Sequence, residues 1–147
     1  MNEIAGAFRV AADGGERLQF GGIEIIIRAS KTSTGGAFSI IEEIDPVDTP
    51  LHIHQNEDEL WYILEGQHVI QVGEEEFSVE PGDIVFAPRG VPHAQRRVVA
   101  RTGRYLCLFS PAGFEGFFRD LAEAEGNRAD MPDAYAAASK KYGITWL

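Results

Sequence analysis

The amino-acid sequence predicts an all-β sandwich or barrel followed by a short C-terminal helical tail. Between residues about 20 and about 110, short apolar stretches rich in β-branched residues alternate with turn residues. Glycines and prolines interrupt these stretches at short intervals, as turns between strands do. After Pro111 the apolar residues recur every three or four positions, a spacing typical of an amphipathic helix.

The predicted strands follow one another closely along the chain. In order they are IEIIIRAS (23–30), GAFSIIEEI (36–44), PLHIH (50–54), ELWYILEG (59–66), HVIQVG (68–73), EEEFSVEPGD (74–83), DIVFAP (83–88) and GRYLCLFS (103–110). Prolines and glycines such as Pro46, Gly66, Gly73 and the Pro81-Gly82 pair supply the breaks. So many short strands favour a sandwich or barrel over an open sheet with crossover helices.

Two helices are expected after the strands. One carries Phe114, Phe117, Phe118 and Leu121 on a single face. The other runs through PDAYAAASKKYG (132–143), with proline near its start and Gly143 past its end. Neither helix carries an obvious catalytic group, so we expect them to cover an open face of the barrel or to contact a second subunit. The chain is expected to form one domain, 1–147, with a barrel core at about 20–110 and a helical segment at about 113–143.

The composition excludes several classes of protein. An apolar fraction of 44% favours a globular chain over a disordered one. A net charge of −10 makes nucleic acid and anionic membranes poor partners, and no 18-residue apolar span exists. Most acids of the runs Glu42-Glu43, Glu57-Asp58-Glu59 and Glu74-Glu75-Glu76 are interpreted as solvated loop residues. We therefore expect a soluble cytoplasmic protein.

The one cysteine of the chain is interpreted as a structural residue. A single cysteine excludes an intramolecular disulfide and a multi-cysteine zinc site. Cys107 alternates with Tyr105 and Phe109, so it is expected to be a buried strand residue and not a nucleophile.

The candidate site is centred on two histidines one residue apart. Alternate side chains of a strand share a face, so His52 and His54 point the same way, about 7 Å apart along the chain. If the strand at 58–64 pairs beside 50–54, Glu59 can reach an ion that the histidines hold. The best candidate for a fourth ligand is His93, which follows the turn-forming stretch 88–92.

Three imidazoles and one carboxylate suit a divalent transition metal. Such an N/O site fits Fe, Ni, Mn, Co, Cu or Zn, and the sequence does not choose among them. On an octahedral ion the set leaves two positions for a small-molecule substrate, water or O2. An H-x-H pair alone more often has a structural role, so the spacing of the other ligands decides the interpretation.

That spacing resembles the two motifs of the cupin superfamily of small β barrels. The first motif reads HxH, three or four residues, E, six residues, G, and the chain has His52-Ile53-His54, four residues, Glu59, six residues and Gly66. The second reads G, five residues, PxG, two residues, H, three residues, N, and the chain has Gly82, five residues, Pro88-Arg89-Gly90, two residues, His93 and then Arg97. The chain departs from the pattern at Pro46, where a glycine is expected, and at Arg97, where an asparagine is expected, and neither change removes a ligand.

The resemblance implies a jelly-roll barrel, also called a double-stranded β-helix, with one bound metal ion. By position, His52, His54, Glu59 and His93 are similar to the 3-His-1-Glu ligand set of the family. Cupins of this size commonly pair through sheet edges or swapped strands, so a homodimer is also expected.

A finer resemblance lies in the tail, where FSPAGFEGFF (109–118) is similar to a segment of short cupins that resemble quercetin dioxygenases. In that group the ion binds a flavonol, O2 adds across the heterocycle, and the motif carboxylate, here Glu59, takes the substrate proton. Trp61 and Phe86 would then help to enclose a flat ligand, against the simpler interpretation of core packing. Arg97 would favour an anionic substrate if it faces the cavity, although an ion pair with an acid at the rim is the simpler expectation.

Three functions stay open from the sequence. The first is a metal-dependent dioxygenase acting on an aromatic or enolic compound, which the tail favours. The second is a non-oxidative metal enzyme such as an isomerase, lyase or decarboxylase. The third is a binding protein that holds a small ligand without turnover.

Overall fold

The computed structural model describes residues 6–98 and 102–147, and its strands form two antiparallel sheets. The strands are β1 (Glu16–Phe20), β2 (Ile23–Ala29), β3 (Ser39–Ile44), β4 (His52–His54), β5 (Asp58–Glu65), β6 (His68–Val72), β7 (Glu75–Val79), β8 (Ile84–Ala87), β9 (His93–Arg97), β10 (Arg104–Ser110) and β11 (Ile144–Trp146). The helices are α1 (Lys31–Thr34), α2 (Glu115–Gly126) and α3 (Met131–Tyr142). The predicted β barrel with a C-terminal helical tail is confirmed.

The two sheets place distant parts of the chain side by side. One sheet has the order β1-β2-β3-β10-β5-β8 and the other has the order β11-β4-β9-β6-β7. Four elements were not among the predicted strands and helices, namely β1, α1, β9 and β11. β1 has only two apolar residues in ERLQF, while α1 and β11 have four and three residues, which is too short for a periodic pattern. β11 forms because it pairs with β4, and no local pattern encodes that contact.

The core lies between the sheets and follows strand alternation. On β5, Trp61 and Ile63 are buried, while Tyr62 between them is exposed on the outer face. On β10, Tyr105, Cys107 and Phe109 are all buried, which confirms the expected placement of the cysteine. Burying each large side chain contributes about 1.5–3 kcal/mol, so this inner row fixes which residues of each strand face inward.

The C-terminal segment folds back over one end of the barrel. Phe114, just before α2, and Phe117 and Leu121 within it are buried against the strands. α3 has Asp130 as its N-cap, accepting from the backbone N–H of Asp133, and it ends at Gly143 with φ of +70°. A Cβ at Gly143 would lie 2.5 Å from the Asn56 amide nitrogen, so both the backbone and the space require glycine. This turn sends β11 back along β4.

One buried carboxylate anchors the start of α2. Glu115 is 2% exposed, and it accepts hydrogen bonds from the backbone N–H of Lys31 at 2.6 Å and of Gly113 at 2.9 Å. It also accepts from the hydroxyl of Ser39 on β3. Burial alone raises the pKa of this carboxyl, but the hydrogen bonds to Ser39 and to the backbone outweigh burial and hold the pKa below its ordinary 4.5. Glu115 therefore ties α1, β3 and α2 together.

Two features of the described surface concern membrane crossing and self-association. Among the described residues, no helix combines the length and the apolar character that crossing a membrane requires. On the outer face of β5 and β8, the side chains of Tyr62, Ile84 and Phe86 are exposed. The homodimer stays a prediction.

Glu115→Gln should destabilise the protein by about 1–3 kcal/mol at pH 7, because an amide leaves a buried donor facing the N–H groups that the carboxylate accepts. Because the folded-state pKa of Glu115 is depressed, its contribution is present above pH 4.5 and is lost as the pH falls through the folded-state value. Urea unfolding of the variant and of the wild type between pH 3 and pH 7 measures both effects.

The exposed Glu123→Gln on the same helix is the control, expected within about 0.5 kcal/mol of wild type. An unchanged free energy of unfolding for Glu115→Gln at pH 7 would contradict the anchoring role.

Candidate metal centre

Strand alternation and one strand pairing bring the three histidines together. His52 and His54 occupy alternate positions of β4, and both are buried, while Ile53 between them is only partly buried. β9 lies antiparallel beside β4, with His93 directly opposite His52. The three imidazoles therefore share the inner face of one sheet.

Glu59 reaches the same point from the opposite sheet. β5 pairs with β10 and β8 and not with β4, so the expected pairing beside the histidine strand is wrong. Glu59 lies opposite Phe109 on one side and Ala87 on the other, and its side chain crosses the barrel interior. Facing sheets lie about 10 Å apart, a gap that one glutamate and one histidine side chain can close together.

The candidate ligand atoms converge. One nitrogen or oxygen atom from each of His52, His54, Glu59 and His93 lies within 4.8 Å of every other. Glu59 Oε2 is 2.7 Å from His93 Nε2 and 3.6 Å from His54 Nε2. All four side chains are at most 5% exposed. A buried cluster of this kind is typical of a metal site.

The hydrogen bonds of the histidines orient lone pairs toward the cluster. Nδ1 of His52 lies 2.7 Å from the carbonyl oxygen of Pro50, and Nδ1 of His93 lies 3.2 Å from that of Val91. Carbonyl oxygens only accept, so these Nδ1 atoms carry the hydrogen, and in the neutral rings Nε2 has the free lone pair. His93 Nε2 and Glu59 Oε2 are buried and 2.7 Å apart, and geometrically neither has a hydrogen-bond partner among the described residues. Two orphaned polar atoms at this separation fit neighbouring ligand positions on one cation.

Burial and mutual charge set the protonation of the cluster. Burial, with the charge of His93, lowers the pKa of His52 to about 4, so His52 is neutral at pH 7. Burial raises the pKa of Glu59, but the neighbouring histidines, His93 foremost, outweigh burial and hold the value below the ordinary one. Burial lowers the pKa of His93, but Glu59 outweighs it and raises the value. A carboxylate and neutral imidazoles are the forms that bind a metal ion, so the raised pKa of His93 means that an ion binding here competes with a proton on that ring.

Sequence reasoning missed Glu57, which supports one of the candidate ligands. Its carboxylate is 5% exposed and lies 2.8 Å from Nδ1 of His54. Most acids of the three acidic runs were interpreted as solvated, with Glu59 as a candidate ligand, yet Glu57 is buried as well. When a metal-binding histidine donates its other ring N–H to a carboxylate, the tautomer is fixed and the ring becomes a stronger metal ligand.

A cavity of about 200 Å³ opens directly from the cluster. His52, His54 and Glu59 form its polar end, and most of its remaining wall is apolar. The lining residues are Phe20, Ile23, Ile41, Glu43, Val47, Asp48, Thr49, Pro50, Gln95, Cys107, Phe109, Phe114, Phe117, Phe118, Tyr135, Ile144 and Trp146. The aromatic face expected on the first C-terminal helix therefore contributes to the cavity.

The three side chains expected in the substrate pocket lie elsewhere. Trp61 is fully buried, and its indole N–H donates to Gln95 at 3.2 Å, so it supports the wall from behind. Phe86 occupies an outward position of β8 and is 53% exposed, because a four-residue strand alternates and Val85 and Ala87 take the inner face. The Arg97 guanidinium lies 4.0 Å from the carboxylate of Asp48, at the rim and outside the cavity lining.

His68 lies apart from the cluster. It is 1% exposed, and its Nε2 lies 3.0 Å from the carbonyl oxygen of Glu65. Its ring contacts Tyr105, and it does not line the cavity. Its role in this structure is packing.

The amino-acid sequence is similar to a known protein family and to two known proteins. A family profile described as a cupin domain matches residues 41–109. The quercetin 2,3-dioxygenase of Bacillus subtilis is 29% identical over 111 residues, which cover 74% of this chain and 33% of that protein. The uncharacterized protein MJ1618 of Methanocaldococcus jannaschii is 35% identical over 75 residues, which cover 50% of this chain and 60% of that protein. The match thus spans about one third of the Bacillus subtilis protein and about three fifths of the Methanocaldococcus jannaschii protein.

A solved structure shares the fold more completely. KdgF from Halomonas sp. aligns with a TM-score of 0.63 and 19% identity, covering 76% of this chain and 99% of the other. At this identity the likeness concerns the fold alone.

Replacing Glu57 should weaken metal binding without unfolding the protein. Glu57→Ala is expected to lower the affinity for Zn(II) about 10- to 100-fold, because His54 loses the partner that orients its ring. Isothermal titration of metal-free protein gives the dissociation constant, and circular dichroism checks the fold. Glu75→Gln, an exposed acid on β7, is the control and should bind as wild type does. Equal affinities for Glu57→Ala and wild type would contradict the supporting role.

Proposed function

Because this chain is a member of the cupin superfamily, we propose that it is a metal-dependent dioxygenase acting on a neutral aromatic or enolic small molecule. The observation that carries the proposal is the convergence of three imidazoles and one carboxylate at the polar end of an apolar cavity. The similarity to a quercetin 2,3-dioxygenase over 74% of this chain supports the oxidative chemistry.

His52, His54, Glu59 and His93 would hold one divalent transition ion, which is Fe, Ni, Mn, Co, Cu or Zn. When bound, the ion supplies a Lewis acid for an acidic hydroxyl of the substrate and a centre for the reaction with O2. The protein side chains bind and orient the ring, exclude water and move the proton.

Glu59 is the residue placed to take the proton from the substrate hydroxyl. Its Oε2 atom has no hydrogen-bond partner among the described residues and belongs to the ligand cluster at the cavity end. A base must lie within hydrogen-bond reach of the proton that it removes, and a hydroxyl directed at the cluster meets this condition. Glu59 would therefore combine the roles of ligand and base.

The walls of the cavity suit a flat apolar compound. Phe109, Phe114 and Phe117 surround the imidazole end, with ring centroids 4.9 Å apart for the first pair and 5.0 Å for the second. No lysine or arginine lines the cavity in the described part of the chain. An anionic substrate would therefore have no positively charged partner except the metal, which favours a neutral ring. Because Arg97 lies outside the cavity lining, it gives no reason to expect an acidic substrate.

Oxygen uptake tests the proposal directly. Protein stripped of metal and reloaded separately with Fe(II), Ni(II), Co(II) or Mn(II) should consume O2 with quercetin or a smaller 3-hydroxy-4-pyranone as substrate. Uptake should cease when a chelator removes the ion and in His54→Ala, which lacks one ligand, while Glu75→Gln should retain it. One tightly bound ion per chain without O2 uptake on any of these substrates would overturn the dioxygenase. Turnover without O2 would indicate Lewis-acid chemistry in its place.

A further inference from the structure

Glu43 is a second acid in the cavity, separate from the candidate ligands. On β3, the residues Ser39, Ile41 and Glu43 face the barrel interior, and Glu43 lines the cavity. Its neighbour Glu42 faces the other way, where Arg104 at 2.7 Å and Arg28 at 3.8 Å neutralise its charge. The two adjacent acids therefore have different environments, and only Glu42 is explained as an ion pair.

The Glu43 carboxyl has few protein partners. In residues 6–98 and 102–147 it forms no ion pair, and its one hydrogen bond is a weak contact from the Cys107 thiol at 3.5 Å. The Tyr105 hydroxyl, buried opposite Glu43 in the strand register, is near enough to lower the pKa of that carboxyl, but the contact lacks regular hydrogen-bond geometry. Burial, followed by the charge of Glu59, raises the pKa of Glu43 to about 7. A carboxyl group kept in an apolar cavity without a cation is typical of a functional site.

Strand register places Glu43 and Glu59 on either side of Cys107, on the inner face of the same sheet. Along β10, Glu43 lies opposite Tyr105 and Glu59 opposite Phe109, and Cys107 occupies the inward position between them. Glu43 is not one of the four side chains whose ligand atoms converge. Both acids nevertheless border the same cavity of about 200 Å³. This volume is below the roughly 300–1,000 Å³ of pockets for drug-sized ligands, so it suits a small ring compound.

We propose that Glu43 is a second polar anchor for the substrate: its carboxyl group accepts a hydrogen bond from a hydroxyl or N–H substituent of a ring whose acidic oxygen lies at the candidate metal ligands. The proposal rests on the proposed function and adds the substrate class, a neutral enolic ring with a hydrogen-bond donor remote from its enol. A carboxylate in place of that donor would face Glu43 with no lysine or arginine beside it in the described cavity wall.

Three compounds that share one enolic ring test binding at the two ends of the site separately. Kojic acid, allomaltol and comenic acid are 5-hydroxy-4-pyranones that carry a hydroxymethyl, a methyl or a carboxylate group at position 2. Their shared hydroxy-ketone reports binding at the metal end, and their differing substituents report binding at Glu43. The measurement is an anaerobic titration of Co(II)-loaded protein, followed by the visible cobalt spectrum.

Wild type should bind kojic acid about five- to tenfold more tightly than allomaltol, the contribution of one hydrogen bond, and comenic acid most weakly. Glu43→Ala should remove the preference for kojic acid. Glu43→Gln, which keeps the shape and an acceptor oxygen, should retain that preference and bind comenic acid about tenfold more tightly than wild type does. Glu74→Gln, an exposed acid on the turn before β7, should behave as wild type.

The outcomes distinguish this proposal from the proposed function. If all three compounds shift the cobalt spectrum and their relative affinities are the same in wild type, Glu43→Ala and Glu43→Gln, the enol site stands and the role of Glu43 is overturned. If no compound shifts the spectrum of the metal-loaded wild type, the enol site of the proposed function is contradicted, and the Glu43 anchor falls with it.

Discussion

The approach of two inner sheet faces is the constraint on which the site depends. One sheet supplies three imidazoles through the pairing of β4 with β9, and the other supplies a single carboxylate from β5. Strand alternation turns these side chains inward, and the spacing between sheets brings their ends to one point. A register slip of one residue in β4 would turn both histidines outward. The buried row on β5 likewise fixes the inward direction of Glu59, so the hydrophobic core and the candidate metal centre depend on the same alternation.

The C-terminal segment converts this cluster into an enclosed site. β11 pairs with β4 so that Trp146 lies opposite His52, and Ile144 lies opposite His54. α2 brings Phe114 and Phe117 over the cavity, and Glu115 fixes the start of that helix to β3 and α1. Without this segment the imidazoles would face water, which would weaken electrostatic interactions at the site. The tail thus encloses the candidate site and excludes solvent from it.

The sequence predicted those features of the site that depend on spacing along one strand. His52 and His54 were predicted from their alternation along one strand, and His93 from its position after a turn. The structure brings these three side chains together with Glu59. It did not predict that Glu59 comes from the opposite sheet, because pairing between distant strands leaves no local pattern. Phe86 was misplaced because a four-residue strand has too few residues to show which face is buried.

Two acidic side chains of the interior show a second limit of sequence reasoning. Glu43 and Glu57 lie in acidic runs that resemble solvated loops, and only the fold shows that one lines the cavity and the other contacts His54. Arg97 shares strand parity with His93, but Asp48 at the rim holds it outside the cavity. In each case the environment of a charged side chain is set by a residue distant in the sequence, which composition and periodicity do not reveal.

X-ray absorption at the cobalt edge of protein loaded with Co(II) measures whether the three histidines and Glu59 bind a single ion. We expect one ion per chain, with scattering from three imidazole rings and an oxygen ligand at about 2.0–2.2 Å, and the loss of one imidazole in His93→Ala. Fewer than three imidazoles in the wild type, or a spectrum that His93→Ala leaves unchanged, would contradict the convergence of the two sheets on a single ion.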